Sequence, residues 1–309
     1  MSKALFQVNN KGLATSFQDT GRYGYQRFGV VASGAMDMEA MTWANQLVGN
    51  PASWACMEIC LVGPSLTFLA DVTFSICGAN LSPSLNDQPI QGWRTYKATT
   101  GDKLTFGKQV NGNYAYLAVS GGYESESVMG SQSTYSKAGL GTDIISGDTI
   151  YGNPKQLPMN RGLTTELVPF YHEQIHVRYI PGPHLDNIHE DSLKGFENQV
   201  FTFWKGDRMG YRLKGVTPIQ TKDDATLSSN PIPLGGIQIP PDGHPIVLLA
   251  DRQTTGGYPR IGTVISTDLS KLVQLPMRKG SVQFKSITIE EAQELYMARY
   301  KQHKIYSYI

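Results

Sequence analysis

The stretch DRMGYRLKGV at 207–216 repeats much of GRYGYQRFGV at 21–30. The two copies align without a gap. Phe17 answers Phe203, Arg22 answers Arg208, Gly24 answers Gly210, Tyr25 answers Tyr211, Gly29 answers Gly215 and Val30 answers Val216, all at one constant offset. Gly and Tyr are frequent here, at 32 and 16 residues, so composition supplies part of the match. A duplication explains it more fully, with two related lobes in one polypeptide. A chain of 309 residues fits about two domains of roughly 150 residues each. The expected division is 1–165 and 166–309, with room for strands exchanged between the lobes. The polar, proline-bearing stretch YGNPKQLPMNRGLTTELVP (151–169) is the expected connection.

Both lobes are expected to be mainly β with a few short helices. Ile175, Val177 and Tyr179 alternate, as one face of a half-buried strand does. Leu66 and Phe68, then Val72, Phe74 and Ile76, form two more such faces, split by a turn at Ala70-Asp71. Leu104 and Phe106 follow the turn dipeptide Gly101-Asp102, and Tyr114, Tyr116, Leu117 and Val119 lead into Gly121-Gly122. Asp37 caps a helix whose inner face carries Met38, Met41, Ala44, Leu47 and Val48, ended by Gly49-Asn50-Pro51. Thr288 and Glu291 spell a capping box, opening a helix with Ala292, Leu295 and Met297 or Ala298 inward. A further helix is expected over 184–196, through Leu185, Ile188, Leu193 and Phe196.

Composition excludes several function classes. Hydrophobic residues are 40% and charged residues 17%, as in ordinary globular proteins. The net charge of +1 gives no reason to expect nucleic acid or a membrane surface as partner. The longest aliphatic run, Ile246 to Ala250, falls far short of the roughly 20 residues of a spanning helix. No signal-peptide core opens the chain. Cys56, Cys60 and Cys77 lack a C-x-x-C spacing and sit in apolar surroundings, which points to buried thiols and a reducing cytoplasm.

His172-Glu173-Gln174-Ile175-His176 spells H-E-x-x-H, and Glu190 or Glu197 could complete a zinc set. That chemistry needs a helix, where residues four apart share a face. Here the segment reads as a strand, in which the histidines stand about 13 Å apart. No metal is expected.

LLADRQTTGGYPRIG (248–262) is the stronger candidate site. An apolar run ends in Asp251, Arg252 and Gln253, then Thr254, Thr255, Gly256, Gly257, Tyr258 and Arg260. Two glycines let backbone N–H groups approach a ligand or turn inward as an anion nest. Two hydroxyls and two guanidiniums add donors. The alternative is a polar connection between strands. GSQSTYSKAGLG (130–141) is similarly donor-rich and reads either as a site or as a solvated loop. Ser33-Gly34 precedes a helix N-terminus, where Asp37 would repel an anion. Arg22 and Arg208 either anchor their own lobes or face a cleft. There is no G-x4-G-K-[ST] loop, no G-x-G-x-x-G, no G-x-S-x-G and no biotinyl-lysine sequence, so any ATP site belongs to another polypeptide.

The blocks QDTGRYGYQRFGVVASGAMD, ANQLVGNP, MEICLVGPSLTF, CGANLSPSL, YLAVSGGY, MGSQSTY, PGPH, DRMGYRL and PLGGIQIPPDGHPIVLLADRQTTGGYPRIGTVI run in this order from about 4 to 285. Together they resemble the family called allophanate hydrolase subunit 2, or the C component of 5-oxoprolinase, related to half of the carboxyltransferase domain of urea carboxylase. Tyr23 stands where the family usually has Pro. Gly206 stands where it usually has Ser, so a role for that hydroxyl has no carrier here.

The resemblance implies two cyclophilin-like β-barrel lobes. It implies partner chains: a homologous B component, like allophanate hydrolase subunit 1, and a lactam-utilisation A component. The activity implied first is ATP-dependent opening of 5-oxoproline to glutamate by the complex, with the chain inactive alone. One alternative is a biotin-dependent carboxyltransferase acting on a urea-like amide, the only reading that calls for biotin. Another is a regulatory protein antagonising a Kip-type sensor-kinase inhibitor. No cofactor is expected on this chain alone. For lactam opening, the expected catalytic residues are Arg252, Thr254, Thr255 and Arg260. The expected substrate-binding residues are Arg22, Tyr25, Arg208, Tyr211, Gln253, Gly256, Gly257 and Tyr258.

Overall fold

The computed structural model describes residues 2–222 and 227–306. Its chain contacts form two units. Among the described residues, the first comprises 2–22, 33–171 and 306; the second comprises 23–32, 172–222 and 227–305.

The first unit is built from two antiparallel sheets. A seven-stranded sheet includes strands Lys3–Asn10, Ser65–Phe68, Lys103–Phe106 and Thr149–Gly152. A five-stranded sheet runs in the order Ala14–Gln18, Cys56–Cys60, Asn111–Val119, Val72–Asn80, Arg94–Ala98. The Ala70-Asp71 turn carries the chain from one sheet to the other. Leu66 and Phe68 therefore meet Phe74 and Ile76 in a single core, rather than lying side by side. The Phe68 ring centroid lies 4.9 Å from that of Phe6 and 5.3 Å from that of Phe74. Strand Asn111–Val119 is buried on both faces, so its apolar residues run on without alternating.

Helix α1 (Met38–Leu47) covers the outer side of the five-stranded sheet. Asp37 caps it as expected, accepting from the Ala40 N–H at 3.0 Å. Met41, Ala44, Leu47 and Val48 are buried. Each large apolar side chain so buried stabilises by about 1.5–3 kcal/mol, and the cap adds about 1 kcal/mol. The proline-bearing connection is no free tether. Its Leu157 N–H bonds to Thr73 Oγ1 at 2.9 Å and its Arg161 N–H to Thr95 Oγ1 at 2.7 Å.

The second unit is a closed seven-stranded barrel. Its order is Gln174–Pro181, Arg260–Val264, Gly236–Gln238, Ile246–Leu248, Gly210–Lys214, Phe201–Asp207, Ser281–Ser286. Parallel pairing of the first and last strands closes it. His176 lies in the first of these strands, as the alternation predicts, and not on a helix. Helix α2 (Glu190–Asn198) brings Phe196 onto Phe284 at 4.8 Å. Helix α3 (Ser266–Val273) carries Asp268, fully buried. The Asp268 carboxylate accepts from Arg178 N–H at 2.9 Å, Nε at 2.8 Å and Nη2 at 2.6 Å. Burial pushes this carboxyl up, but those bonds and the Lys271 charge pull further, leaving it below the usual range.

Three expectations need correction. The helix expected over 184–196 is a 3-10 turn at Leu185–Asn187 followed by α2. Ile188 between them is extended because it bridges to Thr221. Helix α4 (Ile289–Tyr306) opens with the expected capping box, Thr288 N–H to Glu291 Oε2 at 2.8 Å and Glu291 N–H to Thr288 Oγ1 at 3.2 Å. Its Met297 and Ala298 nevertheless face solvent, since the helix lies on the surface with only Ala292, Leu295, Arg299, Gln302 and His303 half-buried. Cys56 and Cys77 are buried free thiols, but Cys60 is only half-buried, at the end of its strand. No helix among the described residues is long and apolar enough to cross a membrane.

The two copies of the repeat agree only in part. Phe17 and Phe203 both lie on strands, each followed within a few residues by the matched arginine. In the second copy Arg208 sits in a tight hairpin turn, and Tyr211 returns into the barrel. In the first copy the chain leaves after Arg22, and Tyr25 precedes a 3-10 turn at Gln26–Phe28 closed by Gly29 at φ 80°. Residues 23–32 cluster with the second unit.

Candidate functional site

Loop Asp251–Arg260 lies at one end of the barrel, between strands Ile246–Leu248 and Arg260–Val264. Thr255 and Gly256 pair antiparallel with Pro231 and Asn230. The Ile232 N–H extends this pairing to the Thr254 carbonyl at 3.0 Å. The expected anion nest therefore does not form. A nest needs a left-handed residue, whereas this segment is drawn out as a strand and neither glycine has positive φ. Gly256 packs closely against two side-chain ends instead. A Cβ there would lie 2.7 Å from Ile232 Cδ1 and 2.9 Å from Gln238 Nε2.

Two guanidiniums are fixed on adjacent carbonyls of the facing segment. Arg252, 7% exposed, donates from Nε to the Ile232 carbonyl at 3.0 Å and from Nη1 to the Leu249 carbonyl at 3.3 Å. Arg260 donates from Nη1 to the Pro231 carbonyl at 3.0 Å, while its Nε is buried without a partner. Neither forms an ion pair with a described carboxylate. Burial lowers both guanidiniums from their usual range, with Tyr23 opposing the shift at Arg252. Both stay charged near neutral pH, because arginine starts so high.

His184 completes this cluster. Its Nδ1 accepts the Arg260 backbone N–H at 3.1 Å, which leaves the proton of the neutral ring on Nε2. Burial and then the Arg260 charge lower its pKa, so the ring is neutral at pH 7.

The remaining expected residues have varied surroundings. The side chains of Gln253, Thr254, Thr255 and Tyr258 make no hydrogen bond to any described residue, and Tyr258 is 46% exposed. Arg208 forms a two-point ion pair with Asp251, at 2.8 and 3.0 Å, which holds the first residue of the loop. Tyr211 is inside the barrel, its ring stacked 4.0 Å from Phe203 and its hydroxyl donating to the Val273 carbonyl at 2.8 Å. Tyr25 is half-buried in the 23–32 segment. Arg22 belongs to the first unit, fully buried, with Nε on the Val128 carbonyl at 2.9 Å and Nη2 on the Ser133 carbonyl at 2.7 Å. The structure thus brings Arg252, Gln253, Thr254, Gly256 and Arg260 together around Pro231 and Ile232, and leaves Tyr211 apart from them inside the barrel.

In loop 130–141, Ser136–Gly139 are exposed, while Ser131, Ser133 and Thr134 are buried and spend their hydroxyls inside the protein. Ser131 and Ser133 hydroxyls donate to Asp19 Oδ1 at 2.7 and 2.6 Å, and Thr134 Oγ1 donates to the Thr142 carbonyl at 2.8 Å.

Sequence reading passed over His184 and Gln238. Their available signals are a histidine right after Pro-Gly-Pro and a lone amide between Ile237 and Ile239. It also passed over a buried acid–tyrosine network in the first unit. There Tyr116 donates to Glu58 Oε2 at 2.7 Å and accepts the Asp37 N–H at 2.7 Å, while Tyr171 donates to Asp37 Oδ2 at 3.1 Å. Burial, then the neighbouring carboxylates, raise both phenols well above their usual range.

Comparison with known proteins bears out the resemblance read from the sequence blocks. The family model for the carboxyltransferase domain, subdomain A and B, matches residues 28–286. The chain is 34% identical over 294 residues to the C component of 5-oxoprolinase from Escherichia coli, covering 93% of each. It is 34% identical over 285 residues to the C component of 5-oxoprolinase from Haemophilus influenzae, covering 91% of this chain and 90% of that one. The crystal structure of Kluyveromyces lactis urea carboxylase superposes with a TM-score of 0.92 at 27% identity, over 99% of this chain and 29% of that chain. The chain belongs to the family of carboxyltransferase domains, subdomains A and B.

Proposed function

We propose that this chain is the C-type component of an ATP-dependent 5-oxoprolinase complex that opens 5-oxoproline to glutamate. One observation carries the reading. Arg252 is buried, Arg260 is half-buried with its Nε enclosed, and both are fixed, yet no described carboxylate neutralises them. Leaving a buried charge unpaired is costly, so such a site is made for an anion. 5-Oxoproline brings a carboxylate, and its amide oxygen gains negative charge as water adds. Preorganised donors aimed at that charge supply most of the rate enhancement in many acyl-transfer reactions. The unspent Thr254 and Thr255 hydroxyls supply them, with Arg260 beside them and neutral His184 fixed in one tautomer.

In this reaction water adds across the lactam C–N bond. Oxygen joins the carbonyl carbon, and the ring nitrogen leaves with a proton. Arg208 and Asp251 serve as positioning groups. ATP, bound on another polypeptide, supplies the driving force, and a related B component with a lactam-utilisation A component completes the assembly. Names of the two bacterial relatives support this reading. The three free thiols fit a reducing compartment such as the cytoplasm. The test is ATP- and 5-oxoproline-dependent glutamate release by the chain with and without its partners. Release only in the mixture is expected, and release by the chain alone would overturn the proposed division of labour.

A second reading rests on the fit to the K. lactis urea carboxylase. The same cations could hold the carboxylate passed from a partner's carboxybiotin to a urea-like amide. Carboxybiotin-dependent carboxylation of urea by the mixture, without glutamate release, would favour it.

A further inference from the structure

Gln238 and Arg260 face each other across two barrel strands. Their neighbours Ile237 and Ile261 are fully buried, and a bulge breaks the register between Ile237 and Gln238, so this pair stands where the ladder is re-aimed. There loop 254–257 and Ile232 cover Gln238, which is 3% exposed. Its carboxamide makes no hydrogen bond to any described residue. Arg260 Nε is buried and likewise unpartnered. That buried donor costs about 1–3 kcal/mol in the empty protein. With the unspent Gln238 carboxamide on the facing position, it marks a place where a ligand supplies the partners. Gly256 lets the loop pass close to both amides, since a Cβ there would lie 2.9 Å from Gln238 Nε2 and 3.6 Å from Gln253 Nε2.

We propose that Gln238 selects the substrate by pairing its carboxamide with the edge of a cis amide, while Arg260 Nε takes the adjoining anionic oxygen. A primary carboxamide offers one N–H donor and one C=O acceptor side by side. A five-membered lactam is held cis by its ring, so its own N–H and C=O lie on one edge and can pair with both. Urea presents the same edge. A peptide amide is trans and points the two groups in opposite directions, so it cannot make both bonds. The selected class is therefore small cyclic amides and ureas, and peptide bonds are rejected. This inference rests on the amide-opening reading above and adds its specificity.

The test uses the assembled complex, with wild type, Gln238→Met and Gln238→Glu, each first checked by thermal melting. 5-Oxoproline is the substrate, and N-methyl-5-oxoproline, which lacks the N–H, is the competitor. Wild type is expected to bind 5-oxoproline on the order of 10²-fold more tightly than the N-methyl compound. Gln238→Met is expected to raise KM about 10²-fold, with a smaller change in kcat, and to abolish that preference. Gln238→Glu, which keeps the shape and loses the donor, should do the same. A folded Gln238→Met complex with wild-type KM and undiminished preference overturns the inference and leaves the 5-oxoprolinase reading standing. If the wild-type complex does not open 5-oxoproline, that reading falls, and binding of urea against tetramethylurea decides the inference separately. A preference for urea that disappears in Gln238→Met upholds it; equal binding or none overturns it.

Discussion

Loops 130–141 and 251–260 are written in nearly the same letters and put to opposite uses. Each holds one arginine of the repeated pair. Gln132-Ser133-Thr134 answers Gln253-Thr254-Thr255, and Gly141-Thr142 answers Gly262-Thr263, at one constant offset. In the first loop every named hydroxyl is spent inside the protein. Asp19 gathers Ser131 Oγ, Ser133 Oγ, the Gln132 N–H and the Gly21 N–H within 2.8 Å. In the second loop the one carboxylate, Asp251, is consumed by Arg208, and the hydroxyls keep their donors. Asp19, reaching in from a distant strand end, makes the first loop a brace; under the proposed function the unspent donors of the second make it a receptor.

The largest effect that would sharpen this contrast is expected from Asp19→Ala. It leaves several buried donors unmatched and should cost about 3 kcal/mol or more. A thermal melt checks it, and an unchanged melt would break the comparison. Next comes Arg260→Lys. An ammonium cannot hold the Pro231 carbonyl and present a second donor as the planar fork does. Complex-dependent glutamate formation should fall about 10²-fold, equivalent to about 2.7 kcal/mol, with the melt near wild type. Wild-type turnover would remove Arg260 from the site.

A smaller pair tests matched positions directly. Ser133→Ala should lower stability by about 1–2 kcal/mol and leave turnover intact. Thr254→Ala with Thr255→Ala should do the reverse: turnover down about 10-fold or more, stability within about 0.5 kcal/mol. Equal behaviour of the two loops in both assays would remove the distinction between brace and receptor.

The smallest effect concerns pH. His184 has a lowered pKa in the folded chain, by burial and by Arg260. The unfolded chain, near about 6.5, then binds the proton first, so this contribution is present above that value and declines as pH falls through it. His184→Gln should flatten a slight loss of stability on acidification below about pH 6.5. A steeper slope in the variant would reverse the assignment.

Much of the architecture was legible from period-two patterns and turn dipeptides, because half-buried strands must alternate. Asp37 and the Thr288–Glu291 box were legible because caps are local chemistry. Legibility ended where tertiary partners decide. Ser133 and Thr254 look alike until Asp19 is placed, and Asp19 is far away in sequence. The Gly256-Gly257 pair reads as an anion nest, yet pairing of Thr255-Gly256 with Asn230-Pro231 draws the segment straight. Met297 fits a helical stripe, but α4 finds little to bury it against. Gln238 carries no motif at all and becomes visible only when its missing partners are counted.

Residues 23–32 have a consequence for the order of synthesis. They are made well before residues 172–305, yet they cluster with those residues. The first unit can therefore condense while this segment still waits for its partners, and the second cannot be finished from its own downstream residues alone. A gene cut at the connection near 171 would yield a C-terminal fragment missing ten residues of its own fold. Supplying 23–32 as a separate peptide, and following whether that fragment gains protection from protease, would show how strongly the two halves of the polypeptide are obliged to be made as one.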